Sequence, residues 1–171
     1  MRTRSKLLVL SFCLVCLSCF RLFAQEGGKA LFSLPPFERG VVCIKYFEGL
    51  HSWKDYPYVG YGHRILPGER FTAAMTERQA DSLLRADLMK RFTSFQRFGK
   101  DALLLTVLSY NVGEYHLLGN GKRPKSILVR KLESGNRDIY REYVSFCRYK
   151  GKVLRGLVKR RKVEFALFYI P

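Results

Sequence analysis

FEGLHSWKDYPYVGYGHRILPG, from Phe47 to Gly68, is the stretch on which the fold turns. An apolar pattern of helical spacing runs up to it and stops at Gly49, which leaves Glu48 in a last helical turn. Tyr56 to Ile65 is then rich in Tyr and Val and punctuated by Gly60 and Gly62, a strand pattern. Leu66-Pro67-Gly68-Glu69 is a turn signal. A helix followed at once by a small antiparallel sheet of two or three strands places Glu48 at the lip of a cleft between them.

Upstream, Pro35 and Pro36 pre-set a helix start behind Ser33, with Phe37, Val41 and Ile44 on one face. Downstream, Thr76-Glu77-Arg78-Gln79 is a capping box, followed by Ala80, Leu83, Leu84 and Leu88 at helical spacing. Asp101 is placed to cap a helix whose body, Ala102 to Val107, is apolar on nearly every side. Such a helix is buried at the centre of a fold. Gly113 ends it. Ser126 caps a short helix closing near Gly135, another is expected over about 138–147, and Gly151 breaks it. A basic helix from about Leu157 to Phe168 closes the chain. The expected class is α+β: a mostly helical fold with a small antiparallel sheet lobe at about 50–75 and a cleft between lobes.

The 171 residues suffice for one core and not comfortably for two. Residues 1–24 read as an export signal, with Arg2, Arg4 and Lys6, an uncharged run from Leu7 to Phe20, and Ala24 as a cleavage residue. The run is short of the roughly 20 residues of a spanning helix. Its alternatives are an uncleaved anchor, or lipoprotein-type cleavage before Cys19. Export would place the chain in the periplasm or outside the cell. Residues 25–35 read as a linker and 36–171 as the folded domain. Losing the signal removes Arg2, Arg4, Lys6 and Arg21 and no acidic residue, so the formal charge falls from +17 to +13. That charge favours anionic partners, a cell-wall or membrane surface, and export argues against nucleic acid. Cys43 and Cys147 sit in apolar surroundings and are expected as two buried thiols rather than a bridge.

Glu48 carries the chemistry. The negative end of a helix and the neighbours Phe47 and Trp53 bias a carboxyl toward its neutral form, which suits general-acid work. The plain alternative is a surface glutamate at a helix end. Asp55, at the entrance to the sheet, is the candidate second carboxylate of a glycosidase pair; the alternative is a turn-forming aspartate. His63 is expected to be structural, bonded to an acidic or backbone group. Tyr56, Tyr58 and Tyr61 either stack on sugar rings or pack the sheet. His51, His63 and His116 lack metal-ligand spacing, so no metal or cofactor is expected.

These pieces, in this order, resemble the phage-type lysozymes (endolysins, muramidases) of glycoside hydrolase family 24. The matching segments are Ile44 to Leu50, Val59-Gly60-Tyr61-Gly62-His63, the Thr76 helix with Leu83, Leu84 and Asp87, Asp101-Ala102-Leu103, and Tyr110-Asn111-Val112-Gly113. Ser126-Ile127-Leu128, Lys131-Leu132, Gly135, Gly156-Leu157, Arg160-Arg161 and Glu164 complete the set. The resemblance implies Glu48 as the catalytic acid and peptidoglycan as the substrate, cut between N-acetylmuramic acid and N-acetylglucosamine. It implies a monomer, Arg160 or Arg161 beside Glu48, and Tyr58, His63, Asn111 and both arginines as substrate-binding candidates. Two departures stand out. The segment from Glu48 to His63 is shorter than in the family, leaving Asp55 as its one aspartate, and Tyr58 stands where the family has threonine.

Three readings follow: a secreted muramidase, a non-hydrolytic peptidoglycan-binding derivative, and a cationic membrane-disrupting protein. The third is suggested by Lys150 to Lys162, which holds no acidic residue; its alternative is a solvated basic face that steers an enzyme to an anionic wall.

Overall fold

The computed structural model describes residues 30–171. The expected export signal lies outside them, as do residues 25–29 of the expected linker. Pro36–Pro171 forms one unit by its internal packing. No helix among the described residues is long and apolar enough to cross a membrane.

Helix α1, Pro36–Glu48, starts on the second proline and buries Val41, Cys43 and Ile44. Gly49 takes φ +68° and returns its N–H to the Lys45 carbonyl at 3.0 Å, ending the helix as its sequence predicts. A 3₁₀ turn, Trp53–Asp55, leads into β1 (Tyr58–Val59) and β2 (His63–Arg64). These pair antiparallel with Tyr58 opposite Arg64 and Val59 opposite His63. The ladder is shorter than the strand pattern suggests because Gly60 and Gly62 both take positive φ (+56° and +95°) and turn the chain. Gly60 also brings the hairpin against the next helix: a Cβ there would stand 3.3 Å from the Ala80 Cβ.

Helix α2 spans Glu77–Phe95, and its capping box is formed, with Thr76 accepting from the Gln79 N–H and Gln79 reaching back to Thr76. A 3₁₀ stretch, Gln96–Asp101, leads into α3, Ala102–Val112, which is the centre of the fold. Leu104, Leu105, Val107 and Leu108 have no exposed surface. Each such side chain stabilises the fold by about 1.5–3 kcal/mol relative to leaving it in water. The buried hydroxyls of Thr106 and Ser109 bond back to the carbonyls of Ala102 and Thr106, so neither is left without a partner. Helix α1 packs on α3 closely: a Cβ on Gly40 would meet Val107 Cγ2 at 3.6 Å.

Short helices follow: α4 (Glu114–Leu118), α5 (Ile127–Glu133, capped by Ser126) and α6 (Tyr140–Val144). The structure then corrects two expectations. Asp101 stands at the start of α3 but makes no capping bond; its carboxylate takes a two-pronged bond from Arg137 at 2.7 and 2.9 Å. The helix expected to about 147 ends at Val144, and a second hairpin, β3 (Arg148–Tyr149) and β4 (Lys152–Val153), follows it. Lys150 and Gly151 both take positive φ, the turn that matches the twist of two-residue hairpins. Helix α7, Arg155–Phe168, closes the chain and packs on α3, α6 and α1. The architecture is the expected α+β one, mostly helical with small antiparallel hairpins. Cys43 and Cys147 are buried free thiols, as expected.

Candidate active site

Glu48 occupies the last position of α1, where the helix must stop because Gly49 turns away. Its side chain is a fifth exposed, and Oε1 accepts a 2.7 Å bond from Arg160 Nη1. Gly62 passes close on the hairpin side: a Cβ there would lie 3.6 Å from both Cδ and Oε2 of Glu48. The carboxyl is therefore framed by a glycine backbone and a guanidinium, with part of its surface open to solvent. The Phe47 ring lies 5.2 Å beneath the Arg160 guanidinium, which adds a cation–π contact to that frame.

Arg160 does not serve Glu48 alone. Its Nε donates to Glu164 Oε1 at 2.8 Å, and Glu164 has no exposed surface. Glu164 also accepts from the Tyr143 hydroxyl at 3.1 Å, and Arg161 Nε lies 3.3 Å from its second oxygen. Burial pushes the Glu164 carboxyl above the ordinary carboxylate range, and Arg161 and Arg160 pull against that. Two arginines and two glutamates thus balance in charge across α1 and α7. The i, i+4 spacing of Arg160 and Glu164 is the sequence signal for this pairing; that it lies in the core is not legible from spacing.

The two arginines divide their roles. Arg160 reaches Glu48, whereas Arg161 is wholly buried and donates to Asn111 Oδ1 at 2.9 Å. Of the two arginines expected near a substrate, Arg161 has no surface that meets solvent. Asn111 is itself exposed and stays at the surface with one acceptor engaged.

Asp55 is fully exposed, and its Oδ2 accepts from the N–H and Oγ of Ser52 at 2.7 and 3.0 Å, closing a capping box over the 3₁₀ turn. The Ser52 N–H and hydroxyl hold this carboxyl below its ordinary range, so it stays ionised at neutral pH. Tyr58 is about two-fifths exposed and its ring tilts toward His51 at 6.3 Å. Tyr56 and Trp53 are more exposed still, whereas Tyr61 is buried and bonds Glu77 at 3.0 Å. The tyrosines therefore divide between surface and packing.

His63 is the structural residue expected of it. Nδ1 meets Asp87 Oδ2 at 2.7 Å and Nε2 meets Glu69 Oε2 at 2.9 Å, with the ring almost buried. Both nitrogens are taken by carboxylates, so neither is open to a further partner. Burial alone would lower its basicity, but hydrogen bonds from the ring to Glu69 and Asp87 outweigh burial and raise it. Tyr110, quoted in the sequence only as part of a matching segment, donates its hydroxyl to the Tyr61 carbonyl at 2.9 Å and ties α3 to the hairpin. Burial first, then the charges of Asp87 and Glu48, push its phenol above the ordinary range. No group of His, Cys, Asp and Glu among the described residues could hold a metal ion.

Comparison with known proteins places this geometry. The endolysin of Bacillus phage B103 is 29% identical over 142 residues, covering 77% of this chain and 52% of the phage protein. The endolysin of Bacillus phage PZA is 30% identical over 142 residues, covering 77% and 54%. The chain thus spans about half the length of these relatives. Among solved structures, the muramidase domain of SpmX from Asticaccaulis excentricus is similar at 28% identity and a TM-score of 0.60, covering 77% of this chain and 95% of that one. Residues 45–164, from the last turn of α1 to Glu164, match the phage lysozyme model, and the chain belongs to the phage lysozyme family.

Proposed function

We propose that this chain hydrolyses bacterial peptidoglycan at the β-1,4 bond between N-acetylmuramic acid and N-acetylglucosamine, with Glu48 as general acid. The observation that carries the reading is the placement of Glu48: partly open, framed by Gly62 and Arg160, at the end of α1 in a family of endolysins and muramidase domains. Glu48 would give its proton to the leaving sugar oxygen as the bond breaks. Because Glu164 shares the Arg160 charge, Arg160 can orient the Glu48 carboxyl without holding it as an exclusive ion pair. Asp55, ionised and fixed by Ser52, would stabilise the developing positive charge on the sugar ring or orient water.

A second reading, a peptidoglycan-binding protein without hydrolysis, is favoured by one observation. The second carboxylate is engaged in capping its own turn. Export, a wall substrate and action as a monomer belong to the proposal in either case.

The test is release of reducing sugar from purified peptidoglycan, with mass analysis of the soluble products. Wild type should yield muropeptides with reducing N-acetylmuramic acid, and Glu48→Gln should not. A folded wild type that binds sacculi and releases nothing would select the second reading.

A further inference from the structure

Hairpin β3–β4 and the first turn of α7 supply no residue to the site above. Arg148 to Gly156 is an unbroken run of nine exposed residues. Four of them, Arg148, Lys150, Lys152 and Arg155, are cations. None of the four pairs with a carboxylate among the described residues, and the sequence holds no acidic residue between Glu142 and Glu164. Arg148 instead donates to the Gly151 carbonyl at 3.1 Å, and the Lys150 ammonium lies 5.5 Å from the centre of the Tyr149 ring.

Apolar groups are interleaved with these cations. Tyr149 is 61% exposed, Val153 50% and Leu154 42%. The register sets Arg148 opposite Val153 and Tyr149 opposite Lys152, so each face of the hairpin presents one cation and one apolar side chain. The positive φ values at Lys150 and Gly151 make the tip a tight turn.

We propose that this hairpin, with the first turn of α7, is a docking surface for a bilayer carrying anionic phospholipid. Charge complementarity requires a polyanion, and the apolar groups select its kind. A wall polymer would engage the cations but gives exposed Val153 and Leu154 nothing, since aliphatic side chains gain only by leaving water for an apolar phase. Basic residues mixed with aliphatic ones, and a tyrosine at the boundary, are what an anionic membrane interface rewards. Arg155 precedes Arg160 by five residues, about 7.5 Å of helix rise, so docking here would hold Glu48 near the bilayer surface.

The full chain holds a single tryptophan, Trp53, so a reporter can be moved: Trp53→Phe with Tyr149→Trp. Fluorescence from position 149 is measured on vesicles containing brominated lipid, with phosphatidylglycerol or with phosphatidylcholine alone. Quenching is expected on the anionic vesicles and should fade with added salt. Lys150→Glu with Lys152→Glu should weaken the response by about tenfold or more. Lys122→Glu with Arg123→Glu, an equal charge change in another loop, should leave it intact. Val153→Ser with Leu154→Ser, which keeps every charge, should also weaken it. Circular dichroism of each variant guards against a folding defect. Absence of quenching, equal quenching on phosphatidylcholine, or equal loss in the Lys122/Arg123 variant would overturn the proposal. A serine pair that behaves as wild type would overturn the role given to Val153 and Leu154, leaving attraction by charge alone. The readout does not use hydrolysis, so it stands or falls apart from the muramidase reading.

Discussion

Arg160 Nη1 meets Glu48 Oε1 at 2.7 Å, joining the end of α1 to the middle of α7 across 112 residues of sequence. Through its Nε the same guanidinium reaches Glu164 in the core. One side chain thus links a group proposed to do chemistry to a group that has no contact with solvent. Much of what can be tested follows from that link.

Glu48→Gln should fold and keep a bond to Arg160 through its amide oxygen. Removal of a positioned acid lowers turnover by roughly 10²–10⁴-fold. Reducing-sugar release should fall by at least the lower figure while the urea midpoint stays close to wild type. Asp55→Asn is the companion test: an electrostatic role predicts a smaller loss, with the Ser52 turn kept by the amide oxygen.

Glu164→Leu removes a buried carboxylate and leaves two buried arginines facing each other's charge. Breaking a buried pair from one side costs about 3–5 kcal/mol. Urea unfolding should show a loss of that size. Adding Arg161→Met should return part of it, because Arg161, whose one carboxylate partner is Glu164, then goes too.

His63→Gln should destabilise the hairpin's attachment to α2 by about 1.5–3 kcal/mol, the range for hydrogen bonds to charged groups. Because the folded state raises the basicity of His63, its contribution is complete below the unfolded value of 6.5. It is lost as pH climbs through the raised folded value. Glu69 behaves oppositely: the Leu66 N–H and then His63 lower its pKa, so its share is present at neutral pH and disappears in acid. The stability gap between wild type and His63→Gln should be widest in mildly acidic solution and close on the alkaline side. A gap that widens with rising pH would contradict the clamp.

Gly62→Ala forces a side chain into φ +95°, a conformation costing roughly 1–2 kcal/mol for residues other than glycine. The new methyl would sit at ordinary contact distance, 3.6 Å, from the Glu48 carboxyl. Activity should therefore fall by more than the change in stability accounts for, measured as peptidoglycan turnover at matched folded fraction.

Burial pushes the Cys43 thiol up to about 12. Iodoacetamide at neutral pH should leave both Cys43 and Cys147 unmodified in the native chain. Peptide mapping should find both modified after unfolding. Rapid native labelling at either position would show that the buried surface around it opens.

The sequence revealed most where a local rule decides the outcome. Gly49 ends α1, Thr76 and Gln79 open α2, and an all-apolar α3 forms the centre, each for a reason contained within a few residues. Readings failed where a distant partner outbid the local one. Asp101 is drawn from its cap by Arg137, 36 residues away, because a two-pronged charged bond outweighs a single capping bond. Arg160 and Arg161 are adjacent in sequence, and only the helix rotation of α7 against α1 decides which one meets Glu48. The β3–β4 hairpin was legible in part, since Tyr149-Lys150-Gly151-Lys152-Val153 has the residue types of a tight turn between strand formers, but the neighbouring helical pattern masked it.

Sharing one guanidinium between a partly open carboxyl and the core has a bearing on how such a protein can change over generations. An apolar side chain at position 48 would leave Arg160 Nη1 without its acceptor in a residue that is itself 4% exposed. Drift is thereby channelled: position 48 keeps a carboxylate or an amide, or it changes only together with position 160. A carboxylate or amide at position 48 thus serves the fold in its own right, so turnover has to be measured and not inferred from the presence of Glu48.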